Sequence, residues 1–380
     1  MTGDAPLPLT VLAGFLGAGK TTLLNRLLRQ PALDGTLAII NEFGAIGLDH
    51  LLVETSEERF ALLDNGCICC TVRDDLVTTL TEILARRDTG ELASVTRILI
   101  ETTGLADPVP VLHTLLVAPA LSGRLAVEGV VTAVDAVNGL ASLNAHPEAV
   151  KQVGLAERIV ITKTDLASDA KLERLRIALG LINPAARVLE ADMGHVAAAR
   201  LLGTGFDPDA LGRAAVDWFA SATALAGFVC SDPQAGDPGH VHGPGCGHHL
   251  PAGVAGSGHA GIETHAFVID QPLSSPAFFR WLEYLTLLKG ESLLRMKGLV
   301  ELDDDRDRPL LVQGVQHVLH PPVRLPAWPD QTRGTRLVFI VRGIPRDVIE
   351  RTLARFADVD AAAIKNPARG AMAASGNMAA

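Results

Sequence analysis

Aromatic residues and positive charge are both scarce in this sequence. Of its 380 residues, 4% are Phe, Trp or Tyr and 48% are hydrophobic, so the core is expected to consist of aliphatic side chains, as in a large α/β fold. The formal net charge is −10, which argues against a nucleic-acid-binding protein, because such proteins carry clusters of Lys and Arg. The length predicts more than one domain.

Long hydrophobic runs are absent, which argues against two kinds of segment. No run of eighteen apolar residues occurs, so no segment is expected to span a membrane. The apolar residues near the N-terminus follow no basic region and end in a lysine-bearing motif, so a signal peptide is not expected.

Cysteine is also scarce, and its distribution is uneven. Three of the five cysteines fall within residues 67–70, in the stretch NGCICCT. An odd number of cysteines, three of them too close to bridge one another, argues against a disulfide framework. A reducing compartment is therefore expected, and we predict a cytoplasmic protein.

Short apolar runs recur in the first half of the chain, and helical patterns separate them. They predict buried strands at residues 9–13, 36–40, 97–100, 129–134 and 158–162. Continuous apolar strands that alternate with helices predict a mostly parallel sheet covered by helices on both faces. This α/β domain is expected to cover residues 1–205.

The rest of the chain divides into three parts. Residues 206–262 are rich in Gly, Pro, Ala and His without clear periodicity, so most of this range is expected to be a linker. A smaller α+β domain is predicted at 263–358, followed by a flexible Ala-rich tail at 359–380. The predicted elements of the smaller domain are a strand at 264–270, a helix at 275–290, a hairpin of residues 293–302 and 310–319 around DDDRDRP, a strand at 335–343 and a helix beginning at Pro345.

A phosphate-binding loop is predicted at residues 14–21. The stretch GFLGAGKT fits the pattern G-x-x-x-x-G-K-S/T and lies between a predicted strand and a predicted helix. An ordinary glycine-rich turn would explain neither the lysine nor the hydroxyl. Lys20 is expected to neutralise the β- and γ-phosphates, and the Thr21 hydroxyl to bind Mg²⁺. The residues assigned to nucleotide binding in this loop are Gly14, Gly17, Ala18, Gly19, Lys20, Thr21 and Thr22.

Two further motifs follow strands and should lie at the same edge of the sheet. In IETTGLADP, Glu101 is expected to reach Mg²⁺ through water or to order the attacking water, and the Gly104 N–H to contact the γ-phosphate. In TKTD, residues 162–165, Asp165 is expected to accept the N1 and N2 hydrogens of guanine while the Lys163 stem covers the base beside Thr162. Adenine has no such donor pair, so Asp165 favours GTP over ATP. A solvated Lys–Asp loop is the alternative interpretation of TKTD.

The thiols of Cys67, Cys69 and Cys70 predict a site for a soft or borderline metal ion. In an extended backbone Cys67 and Cys69 point the same way, and Cys70 adds a third sulfur. Thiolates at this density suit Zn²⁺, Cu⁺ or Co²⁺. The alternatives are buried small hydrophobic residues or a redox pair.

A histidine-rich stretch, GHVHGPGCGHH, predicts an auxiliary metal site within the expected linker. Its candidate ligands are His240, His242, Cys246, His248 and His249. The alternative is a solvated linker with incidental histidines. The other residues of these types are expected to be ordinary: His265, His317 and His320 packed or at the surface, Asp135 a cap or loop acid, and Cys230 inert.

Several of these stretches, in this order, resemble the CobW-type GTPase family of metallochaperones and metallocentre-assembly factors. They are GFLGAGKTTLLN, NEFGAIGLD, NGCICC, IETTGLADP and TKTD, with LLRMKGLVEL and LLVQGVQHVL in the C-terminal part. The resemblance covers most of residues 8–356 and implies a P-loop NTPase fold with that family's C-terminal domain. It also implies slow GTP hydrolysis with Mg²⁺, transition-metal binding at the cysteine motif, and coupling between the two.

Within this resemblance NEFGAIGLD, residues 41–49, corresponds to the switch segment. It implies that Glu42 senses Mg²⁺ or orders water, so the residues assigned to catalysis are Lys20, Glu42 and Glu101. Relatives often carry a second acid three residues after this glutamate. Ala45 stands there in this chain and supplies no carboxylate to an auxiliary metal site.

Three functions compete on the sequence alone. The first is a GTP-driven metal-delivery protein, with Zn²⁺ as the leading cargo, Co²⁺ as the alternative, and a client metalloenzyme as partner; a homo-oligomer is one option for its assembly. The second is a small-molecule phosphotransferase with structural thiols. The third is a metal buffer or sensor in which the histidines dominate and GTP turnover is incidental.

Overall fold

The computed structural model describes residues 5–40, 60–62, 71–202, 262–290 and 292–367, with individual positions between 212 and 223. It divides into two compact units, made of Met1–Arg176 with Ala186–Asp207 and of Ile177–Ala185 with Pro208–Ala380. The change of unit at Asp207 lies close to the boundary predicted at residue 205.

In the described part of the chain, seven strands form the sheet of the first unit, in the order β3-β2-β4-β1-β5-β6-β7. Every pairing among them is parallel, which confirms the predicted parallel sheet. The short strands β3 and β7 were not predicted. The strands are β1 (Leu7–Gly14), β2 (Thr36–Ile40), β3 (Phe60–Leu62), β4 (Arg97–Glu101), β5 (Leu125–Asp135), β6 (Arg158–Thr162) and β7 (Arg187–Glu190).

Helices flank this sheet, as predicted. The first helix packs Leu23, Leu24 and Leu27 into a cluster with Leu12 and Val160 of the strands, and each buried leucine stabilises the fold by about 1.5–3 kcal/mol. The described helices of this unit are α1 (Lys20–Leu28), α2 (Thr71–Asp88), α3 (Pro108–Val117), α4 (Gly139–Ala145), α5 (Pro147–Leu155), α6 (Asp169–Ile182, whose last residues cluster with the second unit) and α7 (Ala198–Leu201).

The second unit is built on an antiparallel sheet, which confirms the smaller α+β domain. Its strands follow the order β11-β10-β9-β13-β8-β14, and β12 pairs with β10. One face packs against two helices around Phe267, Trp281 and Phe339. The elements are β8 (Ile262–Ile269), α8 (Ser275–Lys289), β9 (Leu293–Leu302), β10 (Asp305–Val315), β11 (Val318–Leu319), β12 (Val323–Arg324), β13 (Thr335–Arg342), α9 (Arg346–Phe356) and β14 (Ile364–Lys365). None of the helices that the structure describes combines the length and apolar content needed to cross a bilayer.

The predicted hairpin is present, but its turn is shorter than the sequence indicates. Strand β10 begins at Asp305 rather than at residue 310, so most of DDDRDRP lies in the strand. Asp305 pairs with Leu302, and a register shift separates it from Leu310. The side chains of residues 306–308 are exposed, so charge there carries no burial cost within the strand.

Part of the range expected to be a linker is helical. The described positions between 212 and 223 are in helical conformation. Ala215 is buried in a cluster with Leu299, Leu311 and Leu325 of the second unit. This segment is therefore held by packing on the second sheet, a tertiary contact that local composition does not reveal.

The first residues of the expected flexible tail are also ordered. Asp360 caps a 3-10 turn by accepting a hydrogen bond from the Ala362 N–H at 2.9 Å. Ile364 and Lys365 then pair with Ile269 and Val268 of β8. The free edge of β8 thus orders a stretch whose composition alone favours disorder.

Candidate functional site

The phosphate loop connects β1 to α1, and its backbone requires glycine. Gly14 has φ +149°, and a Cβ atom there would lie 2.5 Å from the Ala133 carbonyl oxygen. Gly19 precedes the helix with φ 81°, in the left-handed region that glycine adopts without strain. Both glycines are therefore needed for the turn that brings the loop to the N-terminus of α1.

The Lys20 side chain is folded into this loop. It is 9% exposed, and its Nζ donates to the carbonyl oxygens of Gly14 at 3.0 Å and Phe15 at 3.4 Å. The ammonium group is thus positioned where the loop would enclose a phosphate anion.

Thr21 and Glu101 meet beside the loop, although 80 residues separate them in sequence. The Thr21 hydroxyl donates to Glu101 Oε1 at 2.7 Å. Glu101 is the last residue of β4 and is 5% exposed. A hydroxyl and a carboxylate oxygen at this separation are hard donors of the kind Mg²⁺ prefers, so the residues present fit that ion.

Gly104 lies directly against the phosphate loop. A Cβ atom at Gly104 would be 2.8 Å from both the backbone nitrogen and the Cα of Leu16. A side chain at this position would push the two loops apart. The structure therefore brings Gly104 to the loop that the sequence assigned to phosphates.

The last residue of β6 and the residue that follows it also reach the phosphate loop. Thr162 Oγ1 donates to the Ala18 carbonyl at 2.7 Å, and Lys163 Nζ donates to the Gly17 carbonyl at 2.7 Å. Lys163 has φ 55°, a left-handed conformation that costs about 1–2 kcal/mol outside glycine. Asp165 follows in an exposed 3-10 turn, where its carboxylate is open to a ligand.

Asp135 belongs to this arrangement, although its sequence context predicts only a cap or loop acid. Its Oδ2 accepts a hydrogen bond from Lys163 Nζ at 2.7 Å, and its Oδ1 accepts from the Val137 N–H at 2.7 Å. Burial alone would raise the pKa of Asp135, but the hydrogen bonds from Lys163, Val137 and Asn138 outweigh it and the pKa is lowered. The available signal was its place at the carboxyl end of a parallel strand.

Three adjacent strands end level with one another at this edge. Ile40, the last residue of β2, pairs with Glu101 on one side and with Leu62, the last residue of β3, on the other. Adjacent strands lie about 4.8 Å apart. Ile40 therefore lies about 5 Å from Glu101 across the sheet, and Leu62 lies about 10 Å from it.

The remaining candidates lie outside the described residues. They are Glu42 and Ala45 of the predicted switch, Cys67, Cys69 and Cys70 of the thiol motif, and Cys230, His240, His242, Cys246, His248 and His249. Within the described ranges, no group of three or more His, Cys, Asp or Glu side chains is placed to hold a metal ion. His265 is buried, with Nε2 2.9 Å from the Ile344 carbonyl oxygen, which confirms it as a packed histidine.

Comparison with known families gives two matches, one in each unit. The model described as CobW/HypB/UreG, nucleotide-binding domain, matches residues 8–190. The model described as cobalamin synthesis protein cobW C-terminal domain matches residues 262–357. Both stretches include the motifs that carry the resemblance in the sequence.

Individual relatives match along almost their whole length. Zinc chaperone YjiA of Escherichia coli (strain K12) is 31% identical over 349 residues, which cover 92% of this chain and 98% of that protein. Zinc chaperone CobW of a Sinorhizobium species is 30% identical over 370 residues, covering 88% and 92%. The crystal structure of Zn(II)-bound YjiA GTPase from E. coli is 28% identical, with a TM-score of 0.63 and coverage of 93% and 99%.

Proposed function

Because this chain belongs to the CobW family of P-loop GTPases, we propose that its GTPase cycle controls a transition-metal site. The metal is Zn²⁺ in the first place, with Co²⁺ as the alternative, and its ligands are Cys67, Cys69 and Cys70. The nucleotide state then determines when the metal passes to a client metalloprotein. The cytoplasm is the compartment that keeps these thiols reduced.

The observation that carries this proposal is the level ending of β3, β2 and β4. The switch segment 41–49 follows Ile40, which pairs with Glu101, and the segment that contains the thiols follows Leu62, which pairs with Ile40. A change at Glu101 therefore has a short route to both segments, through the paired ends of β2 and β3 and then along the chain. This arrangement supports coupling between nucleotide and metal.

Phosphate binding falls to residues that already meet in the structure. Lys20 supplies the positive charge inside the loop, and the N–H groups at the start of α1 face the same anion. Mg²⁺, held by Thr21 with Glu101 beside it, would neutralise charge that develops on the β- and γ-phosphates. Glu101 or Glu42 orders the attacking water, and the Gly104 N–H binds the γ-phosphate.

Guanine selection falls to the residues after β6. Lys163 is fixed by its contacts with Gly17 and Asp135, so its stem offers a flat apolar surface for the base. The exposed carboxylate of Asp165 accepts the two N–H hydrogens that guanine has and adenine lacks. This predicts binding of GTP in preference to ATP.

Nucleotide and metal must influence each other equally at equilibrium. If Mg²⁺–GTP orders the switch segment and tightens metal binding, the metal tightens GTP binding by the same factor. Hydrolysis removes the γ-phosphate, releases the switch segment and loosens the thiol site. A client that binds the loosened state would then receive the metal.

The test is Zn²⁺ affinity, measured by competition with a chelator in three states: Mg²⁺ with a non-hydrolysable GTP analogue, Mg²⁺ with GDP, and no nucleotide. We expect a shift of about tenfold or more between the first two states, or about 1.4 kcal/mol. Cys67→Ser should remove the high-affinity site, and Cys230→Ser is the matched control that should retain it.

Deletion of residues 237–249 separates this function from a metal buffer. In the proposed function the deletion leaves the nucleotide-dependent site in place. If the deletion abolishes most high-affinity binding while Cys67→Ser does not, the chain is a histidine-based buffer. Equal Zn²⁺ affinity in all nucleotide states would leave a passive site and contradict the proposal.

A further inference from the structure

Helix α5 contacts the loop that follows β4 through a buried glutamine. Gln152 is 1% exposed, and its Nε2 donates to the carbonyl oxygens of Gly104 at 3.2 Å and Ala106 at 2.9 Å. Its own backbone carbonyl accepts a hydrogen bond from Thr132 Oγ1 of β5 at 2.9 Å. The side chain thus extends from an anchored part of the helix to two carbonyl groups of one turn in the loop.

The phosphate loop also confines this loop. At Gly104 there is no room for a Cβ atom, because the backbone of Leu16 would be 2.8 Å away. The segment around Gly104 is therefore restrained by both Leu16 and Gln152. A second contact from α5, between Lys151 Nζ and Asp107 Oδ2 at 2.6 Å, lies at the end of this loop and is partly exposed.

The amide of Gln152 is needed as a donor rather than as a filler of space. Its Oε1 is buried and has no hydrogen-bond partner among the described residues. This oxygen therefore loses its hydration without gaining a hydrogen bond. An apolar side chain of similar length would avoid that cost. The amide is explained by the two hydrogen bonds that its Nε2 makes to the loop.

We propose that Gln152 is a positioning residue for γ-phosphate recognition. By fixing the carbonyl groups of Gly104 and Ala106, Gln152 sets the orientation of the loop and so the direction of the Gly104 N–H. GDP has no γ-phosphate, so this orientation affects GTP binding and hydrolysis but not GDP binding. The inference rests on the proposed role of Gly104 in binding GTP.

The experiment compares affinities for a non-hydrolysable GTP analogue and for GDP, both with Mg²⁺, in Gln152→Met and Gln152→Glu. Methionine has similar length and no donor, and glutamate places a carboxylate opposite two carbonyl oxygens. We expect the analogue to bind about fivefold more weakly in Gln152→Met, and still more weakly in Gln152→Glu, while GDP affinity changes less than about twofold.

Gln30→Met is the matched control. Among the described residues the Gln30 side chain likewise bonds to backbone groups, donating to the Val196 carbonyl at 2.8 Å and accepting from the Ala198 N–H at 2.9 Å. It follows the C-terminal end of α1, away from the phosphate loop. We expect its ratio of GTP-analogue to GDP affinity to equal that of the wild type.

The contrary results are distinct. Equal weakening of the analogue and GDP in the Gln152 variants would show a purely structural role and overturn the inference. An unchanged ratio of GTP-analogue to GDP affinity in either Gln152 variant would also overturn the inference. Gly104→Ala tests the underlying proposal: if it weakens the analogue and the Gln152 variants do not, only the role of Gln152 is wrong, whereas full binding by Gly104→Ala removes the role of Gly104 itself.

Discussion

The two sheets of this protein place their polar groups differently. In the first unit, β4 is apolar through Ile98, Leu99 and Ile100 and ends in the carboxylate of Glu101. In the second unit, β9 carries Arg295 and Lys297, 2% and 4% exposed, in the middle of the strand. Parallel strands end at one common edge, so chemistry collects there. Antiparallel neighbours end at opposite edges, so their charged side chains do not converge on one edge and can form ion pairs with nearby groups instead.

Ion pairs in the second unit illustrate this structural use of charge. Arg336 of β13 makes two hydrogen bonds to Asp330, at 2.6 and 2.8 Å. These bonds, chiefly, lower the pKa of Asp330. The pair is formed by groups six residues apart in sequence, whereas Asp135 and Lys163 of the first unit are 28 apart and join two strand ends. Substitutions in the two units should therefore have separable effects.

The largest expected effect is that of Lys20→Ala. Loss of the ammonium group inside the phosphate loop should weaken GTP binding by on the order of 100-fold, because hydrogen bonds to charged groups are the strong ones. Lys171→Ala, which removes an exposed lysine of α6, is the charge-matched control. Equilibrium titration with a fluorescent GTP analogue measures both, and similar affinities would exclude the loop as the phosphate site.

Gly104→Ala should have the next largest effect. The added methyl group would overlap the Leu16 backbone, and overpacking of this kind costs about 2 kcal/mol, or roughly 30-fold in affinity for the GTP analogue. Gly123→Ala is the control, because a Cβ atom there would meet no atom of the described residues within 4 Å. It should lower stability through its backbone conformation while binding nucleotide normally. Equal nucleotide affinity in the two variants would contradict this account.

Asp135→Asn and Asp330→Asn test whether nucleotide affinity and stability can be changed separately. Asp135→Asn weakens the hold on Lys163 and should lower GTP affinity about fivefold, with a smaller preference for GTP over ATP. Asp330→Asn should lower the free energy of unfolding by about 1 kcal/mol and leave nucleotide affinity unchanged. Nucleotide titration and urea unfolding of both proteins measure the pattern. Loss of nucleotide affinity in Asp330→Asn would contradict the prediction that substitutions in the two units have separable effects.

The smallest expected effect is a change in acid stability. The pKa of His320 is lowered to about 4, first by burial and then by the charges of Arg295 and Lys297. The unfolded chain, with a histidine pKa near 6.5, binds more protons between about pH 6.5 and pH 4, so stability falls as pH decreases through that window. His320→Asn should remove about 1 kcal/mol of this loss at about pH 5.5. The prediction is wrong if the free energy of unfolding falls by the same amount in the variant and the wild type as the pH decreases through this window.

Much of the first unit could be predicted because its strands are continuous apolar runs and its loops carry motifs. The phosphate loop, Glu101 and the residues after β6 were all found in this way, and the structure brings them to one edge. The missed strands are short: β3 has the sequence FAL and β7 has the sequence RVLE. No periodicity can be read from four residues.

Asp135 and Gln152 show what sequence patterns could not supply. The Gln152 side chain bonds to a carbonyl 48 residues away, and any residue type can present a backbone carbonyl. No motif therefore marks the contact. The thiol motif is the reverse case: residue types and spacing predict metal binding at Cys67, Cys69 and Cys70, and that site stays a prediction.

The most direct test of the coupling is the affinity for a non-hydrolysable GTP analogue, measured in Mg²⁺ with and without saturating Zn²⁺. By linkage, the factor by which Zn²⁺ changes the affinity for the analogue must equal the factor by which the analogue changes the affinity for Zn²⁺. The account predicts that Zn²⁺ tightens binding of the analogue by about tenfold or more, and that Cys67→Ser removes this effect. Identical affinities with and without Zn²⁺ would contradict control of the metal site by the nucleotide.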